Sequence, residues 1–385
     1  MALTLSRKNE LRTWLELSRK NLRHNLEVFR RLSGKVTRIW VVKANAYGHG
    51  LDALGPALLQ EMRKGEWLGV DLLDEALLLR RIGARCPILI MGWIPPARLG
   101  EAVRNDLRIM VSSSKTVMAL GKMKSMRPIR VHLKIDTGAT RQGALPEEAL
   151  GMVRLIKRYG LVLEGCATHF ANIEDVDNPA YSDLQIERFV GVVSKIKALG
   201  FALPVVHAAC SAATMIRRET LLSAVRIGIG LYGLNPSALV AKSYRRAAHR
   251  GQALKPVLSW RSRVALIKRV PAGTPVGYGL TEKTKRSTII AIVPVGYSDG
   301  YDRALSSRGY VLIRGKRCRV LGRVCMNMII VDASFANGAA ENDIVTLIGA
   351  QRMNAVTADE LAAAAGTINY EIVSRIAEHL PRFIV

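Results

Sequence analysis

From residue 37 to residue 230 the chain alternates short runs of consecutive apolar residues with longer segments whose apolar positions recur every three or four residues. The short runs are 39–43 (IWVVK), 67–70 (WLGV), 88–91 (ILIM), 107–111 (LRIMV), 129–135 (IRVHLKI), 161–168 (LVLEGCAT), 204–208 (PVVHA) and 224–229 (AVRIGI). They are short for helices and rich in β-branched residues, so they predict buried strands. The longer segments, for instance 74–82, 115–124, 147–158, 182–198 and 211–218, predict helices between them. Repeated strand–helix units of this kind predict an α/β fold, a (β/α)8 barrel. An open doubly wound sheet is the rival, but no GxGxxG turn follows a strand to support it. Upstream, Leu15, Leu17, Leu22, Leu26, Val28, Phe29 and Leu32 predict an amphipathic helix within 12–33, ahead of the first barrel strand.

After residue 249 the pattern changes. The runs 257–269, 288–296, 310–314, 317–321, 327–332 and 343–348 are short, β-rich and broken by Gly, Pro, Asn and Asp. They predict a mainly β second domain, followed by a short helix over 359–365 and a helical or mixed segment over 367–376. The expected division is therefore a barrel domain over 1–248 and a β domain over 249–385, with residues 1–10 packing with the second domain.

Composition changes this picture little. No apolar run reaches the roughly 18–20 residues of a membrane span, and the charged N-terminal stretch lacks the apolar core of a secretory signal. Cys86, Cys166, Cys210, Cys318 and Cys325 are scattered, without metal-knuckle spacing, and read as buried thiols of a reducing, cytoplasmic compartment. No metal is expected. The net charge of +26 is the outlier. It is spread over both parts of the chain, 38 basic against 21 acidic residues before 249 and 19 against 10 after it, so it forms no basic tail. No nucleic-acid recognition motif accompanies it, and the densest run, Lys242–Arg250, reads as a solvated linker or helix face.

A barrel of this type carries its reactive groups at the C-terminal ends of the strands. Polar residues stand there: Lys43 after strand one, Lys134 and Asp136 after strand five, His169 after strand six, Ser211 after strand seven and Arg226 within strand eight. An unpaired lysine buried at a strand end would lose its proton and become a nucleophile suited to a Schiff base. The same letters also describe a lysine that reaches solvent past the strand, and a lone histidine such as His169 is more often structural. It is their joint placement on one rim that points to chemistry.

The wider motifs decide between these readings. The segments RTWLELSRKNLRHNLEVFR (12–30), VVKANAYGHG (41–50), KIDTGATRQG (134–143), THFANIED (168–175), VRIGIGLYG (225–233), LKPVLSWRSRVALIKRVPAGTPVGYG (254–279), VPVGYSDGYDR (293–303), LGRVCMN (321–327) and INYEIVSRI (368–376) resemble those of the alanine racemases, in order and over almost the whole length. The resemblance implies a fold-type III pyridoxal 5'-phosphate (PLP) enzyme interconverting L- and D-alanine for cell-wall precursors. It implies Lys43 as the covalent cofactor lysine and the base for the D-enantiomer, and Tyr278 as the base for the L-enantiomer. Tyr47, Tyr370, Ser211 and Gly228 are implied for the phosphate, Arg226 for the pyridine nitrogen, and His169 beside it. Arg141 and the Met326 amide are implied for the substrate carboxylate, with Tyr297 and Tyr301 near the entrance. Lys134 matches a lysine that some members carbamylate. A homodimer with shared sites follows, since the second domain of one chain completes the other's site.

The chain departs from the family pattern at Ala139-Thr140, Gln142, Cys210, Val276-Gly277 and Asn327, which leaves substrate range open. The alternatives are a broad-specificity or serine racemase on the same scaffold, and a non-catalytic PLP-binding protein.

Overall fold

The computed structural model describes residues 10–247 and 252–385. The described chain divides into two compact units, one formed by Leu22–Ala44 and Leu58–Lys255, the other by residues up to Asn21, Asn45–Ala57 and Pro256–Val385. The expected boundary at 248/249 and residues 1–9 lie outside the described residues.

The first unit is a closed barrel of eight parallel strands: Thr37–Val41, Trp67–Val70, Ile88–Ile90, Arg108–Val111, Arg130–Lys134, Val162–Ala167, Val205–His207 and Ala224–Ile227. The last strand returns to the first in register from Thr37↔Ala224 to Trp40↔Ile227. Each strand coincides with a predicted apolar run to within a few residues, because strands covered on both faces are mostly apolar. Helices such as Leu73–Arg81, Ser114–Gly121, Ala149–Arg158, Ala180–Ala198 and Ser211–Ile216 follow the strands. Successive side chains on a strand alternate in direction. Ile39, Trp67, Leu89, Met110, Ala167, Val205 and Ala224 thus meet in one apolar cluster. Two residues further along their strands, His207 and Arg226 share the direction of Val205 and Ala224.

The second unit is a sheet whose strands run, in spatial order, Leu266–Val270, Thr288–Val293, Ile329–Asp332, Lys316–Leu321, Tyr310–Ile313, Ile344–Gln351, Leu258–Arg263, Thr13–Leu17 and Arg382–Ile384. Asn354–Val356 adds to the strand Ile344–Gln351. Two expectations are corrected here. Residues 12–33 are not one helix: Thr13–Leu17 is a strand, antiparallel to Leu258–Arg263 and parallel to Arg382–Ile384, and the helix is Arg19–Ser33. Thr13, Trp14, Leu15 and Leu17 are all buried, which favours a strand in mid-sheet over a one-sided helix. The helix starts where the Ser18 hydroxyl accepts the Asn21 amide. The run 257–269 is likewise two strands, broken at Val264 and Ala265, whose amides turn to Asp343 and Ile292.

Cys166 and Cys318 are buried, whereas Cys86, Cys210 and Cys325 are only partly so, and all five are free thiols. Lys242–Arg246 lies on the helix Ala238–Ala247, with Tyr244 turned inward. Among the described residues no helix is long and apolar enough to cross a membrane.

Candidate active site

Lys43 does not end the first strand as a buried, unpaired amine. The strand pairing closes with the Val42 amide on the Gly69 carbonyl, and Lys43 opens the next element. Its side chain is 42% exposed, with Nζ 3.9 Å from Oδ1 of Asp71. The counter-charge is invisible in the neighbouring letters because Asp71 arrives from the end of the second barrel strand.

The segment after Lys43 is a left-handed helical turn. Ala44, Asn45, Ala46 and Tyr47 have φ between 52° and 54°, a conformation costing roughly 1–2 kcal/mol per non-glycine residue. Local bonds compensate. The Asn45 carbonyl accepts the Gly50 amide, and its side-chain oxygen accepts the Leu51 amide that starts the next helix. His49 Nδ1–H donates to the Tyr47 carbonyl at 2.9 Å. Burial pushes the His49 imidazole down to about 4, which keeps it neutral. Gly48 is required by contact as well as by φ, since a Cβ there would lie 1.8 Å from the Val373 carbonyl oxygen.

The barrel rim gathers Lys43, Lys134, His169 and Arg226, all at strand ends, together with Arg141, which only the resemblance names. Lys134 is 8% exposed, and burial together with Arg226 and Arg141 drives its ammonium well below the ordinary lysine range. His169 is held well below its ordinary value by burial and by Arg226, Lys134, Arg141 and Lys43. Arg141 and Arg226 thus give this rim a cationic character that suits an anion. Asp136 is the acid that faces Lys134, and its oxygens are bound by its own loop. Its Oδ1 accepts the amides of Gly138, Ala139 and Thr140, and its Oδ2 accepts that of Arg141 at 2.8 Å. The carboxylate thereby shapes the loop that carries Arg141. Burial opposes its charge, but the four amides hold it below the usual carboxylate range.

Arg226 is 6% exposed. Its Nη1 donates to His207 Nδ1 at 2.6 Å and to the His207 carbonyl, while Nη2 donates to the Thr168 and Ala208 carbonyls and approaches His169 Nδ1. Burial lowers its pKa to about 10, so it keeps its proton at neutral pH. Because arginine only donates, His207 Nδ1 must accept, and the His207 proton sits on Nε2. That proton is given to His132 Nδ1 at 2.9 Å, and His132 Nε2–H in turn faces Glu164 Oε2 at 3.3 Å. One row of hydrogen bonds thus runs from the rim into the barrel. Within the described residues the Arg226 Nε–H makes no hydrogen bond, leaving one donor for a ring nitrogen.

Ser211 opens the short helix after the seventh strand. Its hydroxyl oxygen accepts the amides of Gly228 and Gly230 at 3.0 and 3.3 Å, which leaves its own hydrogen to donate. The donors for PLP are therefore all of suitable kind: an amine for the aldehyde, a hydroxyl for the phosphate and a guanidinium N–H for the pyridine nitrogen. Among the described residues no cluster of three His, Cys, Asp or Glu could hold a metal ion.

In the second unit, the rings of Tyr47 and Tyr370 lie 6.2 Å apart. Tyr278 stands in a turn between Gly277 and Gly279, both at positive φ, with 71% of its surface exposed. Tyr297 is 42% exposed, on a turn whose amides bind the Cys325 and Met326 carbonyls. Met326 itself is exposed. Tyr301 does not lie at an entrance: it is 1% exposed, packed against Trp260, with its hydroxyl buried. In GYSDGY the turn reverses the second tyrosine inward, a change that letter spacing does not carry.

Sequence reasoning missed Asp71, His132 and His207, and it left Asp136 without a role. The strand-end rule would have found Asp71, which directly follows WLGV. The two histidines carry no linear signal, since each sits inside an apolar run.

Comparison with known proteins gives one answer along the chain. The family model described as alanine racemase, N-terminal domain, matches residues 17–236, and that for the C-terminal domain matches 257–384. The alanine racemase of Leptospira interrogans is 39% identical over 381 residues, covering 99% of this chain and 97% of the relative. That of Carboxydothermus hydrogenoformans is 40% identical over 376 residues, covering 97% and 99%. The crystal structure of Bacillus anthracis alanine racemase with bound L-Ala-P superposes with a TM-score of 0.88 at 34% identity, covering 97% and 95% of the two chains.

Proposed function

The chain belongs to the alanine racemase family, and from that premise we propose how its residues divide the work of interconverting L- and D-alanine for peptidoglycan precursors. The enzyme is PLP-dependent by its family. When bound, PLP supplies an electron sink that acidifies the α-proton of the amino acid. The barrel domain, 1–248, carries most of the cofactor residues, and the β domain, 249–385, adds Tyr370 and supplies the second base.

Lys43 holds the cofactor covalently and, once displaced by substrate, takes or returns the α-proton on one face at Nζ, with Asp71 as its counter-charge. Arg226 serves the pyridine nitrogen. Its retained proton keeps that nitrogen unprotonated, which moderates the electron sink and limits side reactions. Ser211, Gly228, Tyr47 and Tyr370 serve the phosphate, with His169 as the neutral neighbour that accepts from Arg226. Arg141 and the Met326 amide receive the substrate carboxylate, and Tyr297 narrows the entrance around a small side chain. Tyr278 is the base for the opposite face, contributed by a second copy of the chain in a homodimer. Its 71% exposure in one chain supports a role across subunits. Burial, Arg226 and Arg141 lower the Lys134 pKa and so favour the neutral amine, the form that adds carbon dioxide, releasing a proton and becoming a carbamate anion. Only free lysine in an intact-mass measurement with bicarbonate present would remove that assignment.

The observation that carries this reading is the convergence of Lys43, Lys134, Arg141, His169 and Arg226 on one rim of the barrel. Borohydride reduction followed by peptide mapping tests it directly, with PLP expected on Lys43. Lys43→Ala and Tyr278→Phe are each expected to lower racemisation by about 1000-fold, and residual exchange of the α-proton with solvent should be lost from opposite enantiomers in the two variants. Exchange lost equally from both enantiomers in either variant would overturn the two-base assignment.

A further inference from the structure

Arg382, three residues from the end of the chain, faces two segments at once. Its Nε and Nη2 both donate to the Gly48 carbonyl, at 3.3 and 2.9 Å. Its Nη1 donates to the carbonyls of Glu378 and Leu380 at 3.0 and 2.8 Å, and Nη2 also reaches those of Ile376 and Ala377. These carbonyls follow the helix Asn369–Ser374, which carries Tyr370. Gly48 directly follows Tyr47 at the end of the left-handed turn. The fit around Arg382 is close, because a Cβ on Gly50 would come within 2.2 Å of its Cδ. The guanidinium is itself anchored, since Arg382 begins the strand Arg382–Ile384 paired with Thr13–Leu17.

We infer that Arg382 is a positioning residue for the cofactor phosphate: one guanidinium ties the Tyr47 turn to the Tyr370 segment and so fixes the distance between their phenols. The inference rests on the assignment of those phenols to the phosphate. The physical reason is strain. Four non-glycine residues in the left-handed region relax toward the right-handed basin unless the end of the turn is held. The Gly48 carbonyl is the point at which Arg382 holds it. A flexible lysine could reach one of these carbonyls, but it lacks the planar fork that spans both segments.

The test compares two probes on the apo-protein of wild type, Arg382→Met and Arg382→Lys: PLP, and pyridoxal, which lacks the phosphate. Dissociation constants are read from cofactor absorbance and protein fluorescence. Arg382→Met should weaken PLP by about tenfold, the worth of one well-made hydrogen bond, with pyridoxal within about twofold; Arg382→Lys should fall between. In a Tyr47→Phe background, Arg382→Met should add less than it does alone. Equal weakening of both probes would mark general destabilisation and overturn the inference, as would unchanged PLP affinity. Should Arg382→Met fail to fold, the PLP-to-pyridoxal ratio of Arg382→Lys decides by the same criteria. A wild-type protein that binds neither probe would instead sink the underlying assignment of the cofactor.

Discussion

The two ends of the barrel handle charge in opposite ways. Towards the N-terminal ends of the strands, the buried Glu66 and the partly buried Glu164 are matched by cations. Glu66 is 2% exposed. It accepts both arms of the Arg30 guanidinium at 2.8 Å, the Trp40 indole N–H at 3.0 Å and the Arg63 amide at 2.9 Å. Burial alone would raise its pKa, but these donors hold it below the usual range. Glu164 is placed similarly among Arg108, Arg130 and His132. At the C-terminal ends, Arg141 and Arg226 lie near enough to Lys134 to lower its pKa, and the nearby Asp136 is occupied by backbone amides. A matched buried pair holds structure and leaves nothing for a ligand, whereas an excess of one sign costs stability and waits for a counter-charge. The barrel thus separates an end of matched charges from an end with a cationic surplus, joined by the row Arg226–His207–His132–Glu164.

Experiments that perturb each end separately test this division. The largest expected effect is at the matched end. Glu66→Gln leaves Arg30 buried without its partner and should lower unfolding free energy by about 3–5 kcal/mol, read by urea denaturation, with turnover of the folded enzyme unchanged. A large loss of turnover at unchanged stability would break the comparison. At the other end, Arg226→Ala should lower kcat/KM by about 100-fold while costing far less stability than Glu66→Gln, as measured by kinetics and thermal melting together.

Acid should act on the histidines before the matched acids. His49, His132, His169 and His207 all have pKa values lowered by folding, so below 6.5 the unfolded chain binds more protons and stability falls. For His49 the loss should run at about 1.4 kcal/mol per pH unit until its folded value of about 4 is reached. Glu66 and Glu164, depressed from 4.5, should add to the loss only below that pH. Melts between pH 7.5 and 4 should show this order, and His49→Asn should flatten the upper part. The smallest effect is expected from Asp136→Asn, in which the NH2 that replaces Oδ2 cannot accept the Arg141 N–H. KM for alanine should rise by about tenfold with little change in kcat.

The amino-acid sequence alone determined the barrel, the mainly β second domain and the rim residues, because continuous apolar runs and strand ends are local features. It misjudged Thr13–Leu17, since a buried five-residue strand next to a helix shares the helix's apolar letters and is told apart only by its distant partners, Leu258–Arg263 and Arg382–Ile384. Lys43 was legible as a position but not as an environment. Its exposure, its left-handed turn and its Asp71 partner come from segments brought together by closure of the barrel. Tyr301 was read outward and faces inward, because the direction of a turn residue depends on what packs against it. The histidine row and the Arg382 tie are likewise tertiary. Each depends on side chains tens to hundreds of residues apart whose donors and acceptors match only once the backbone is fixed.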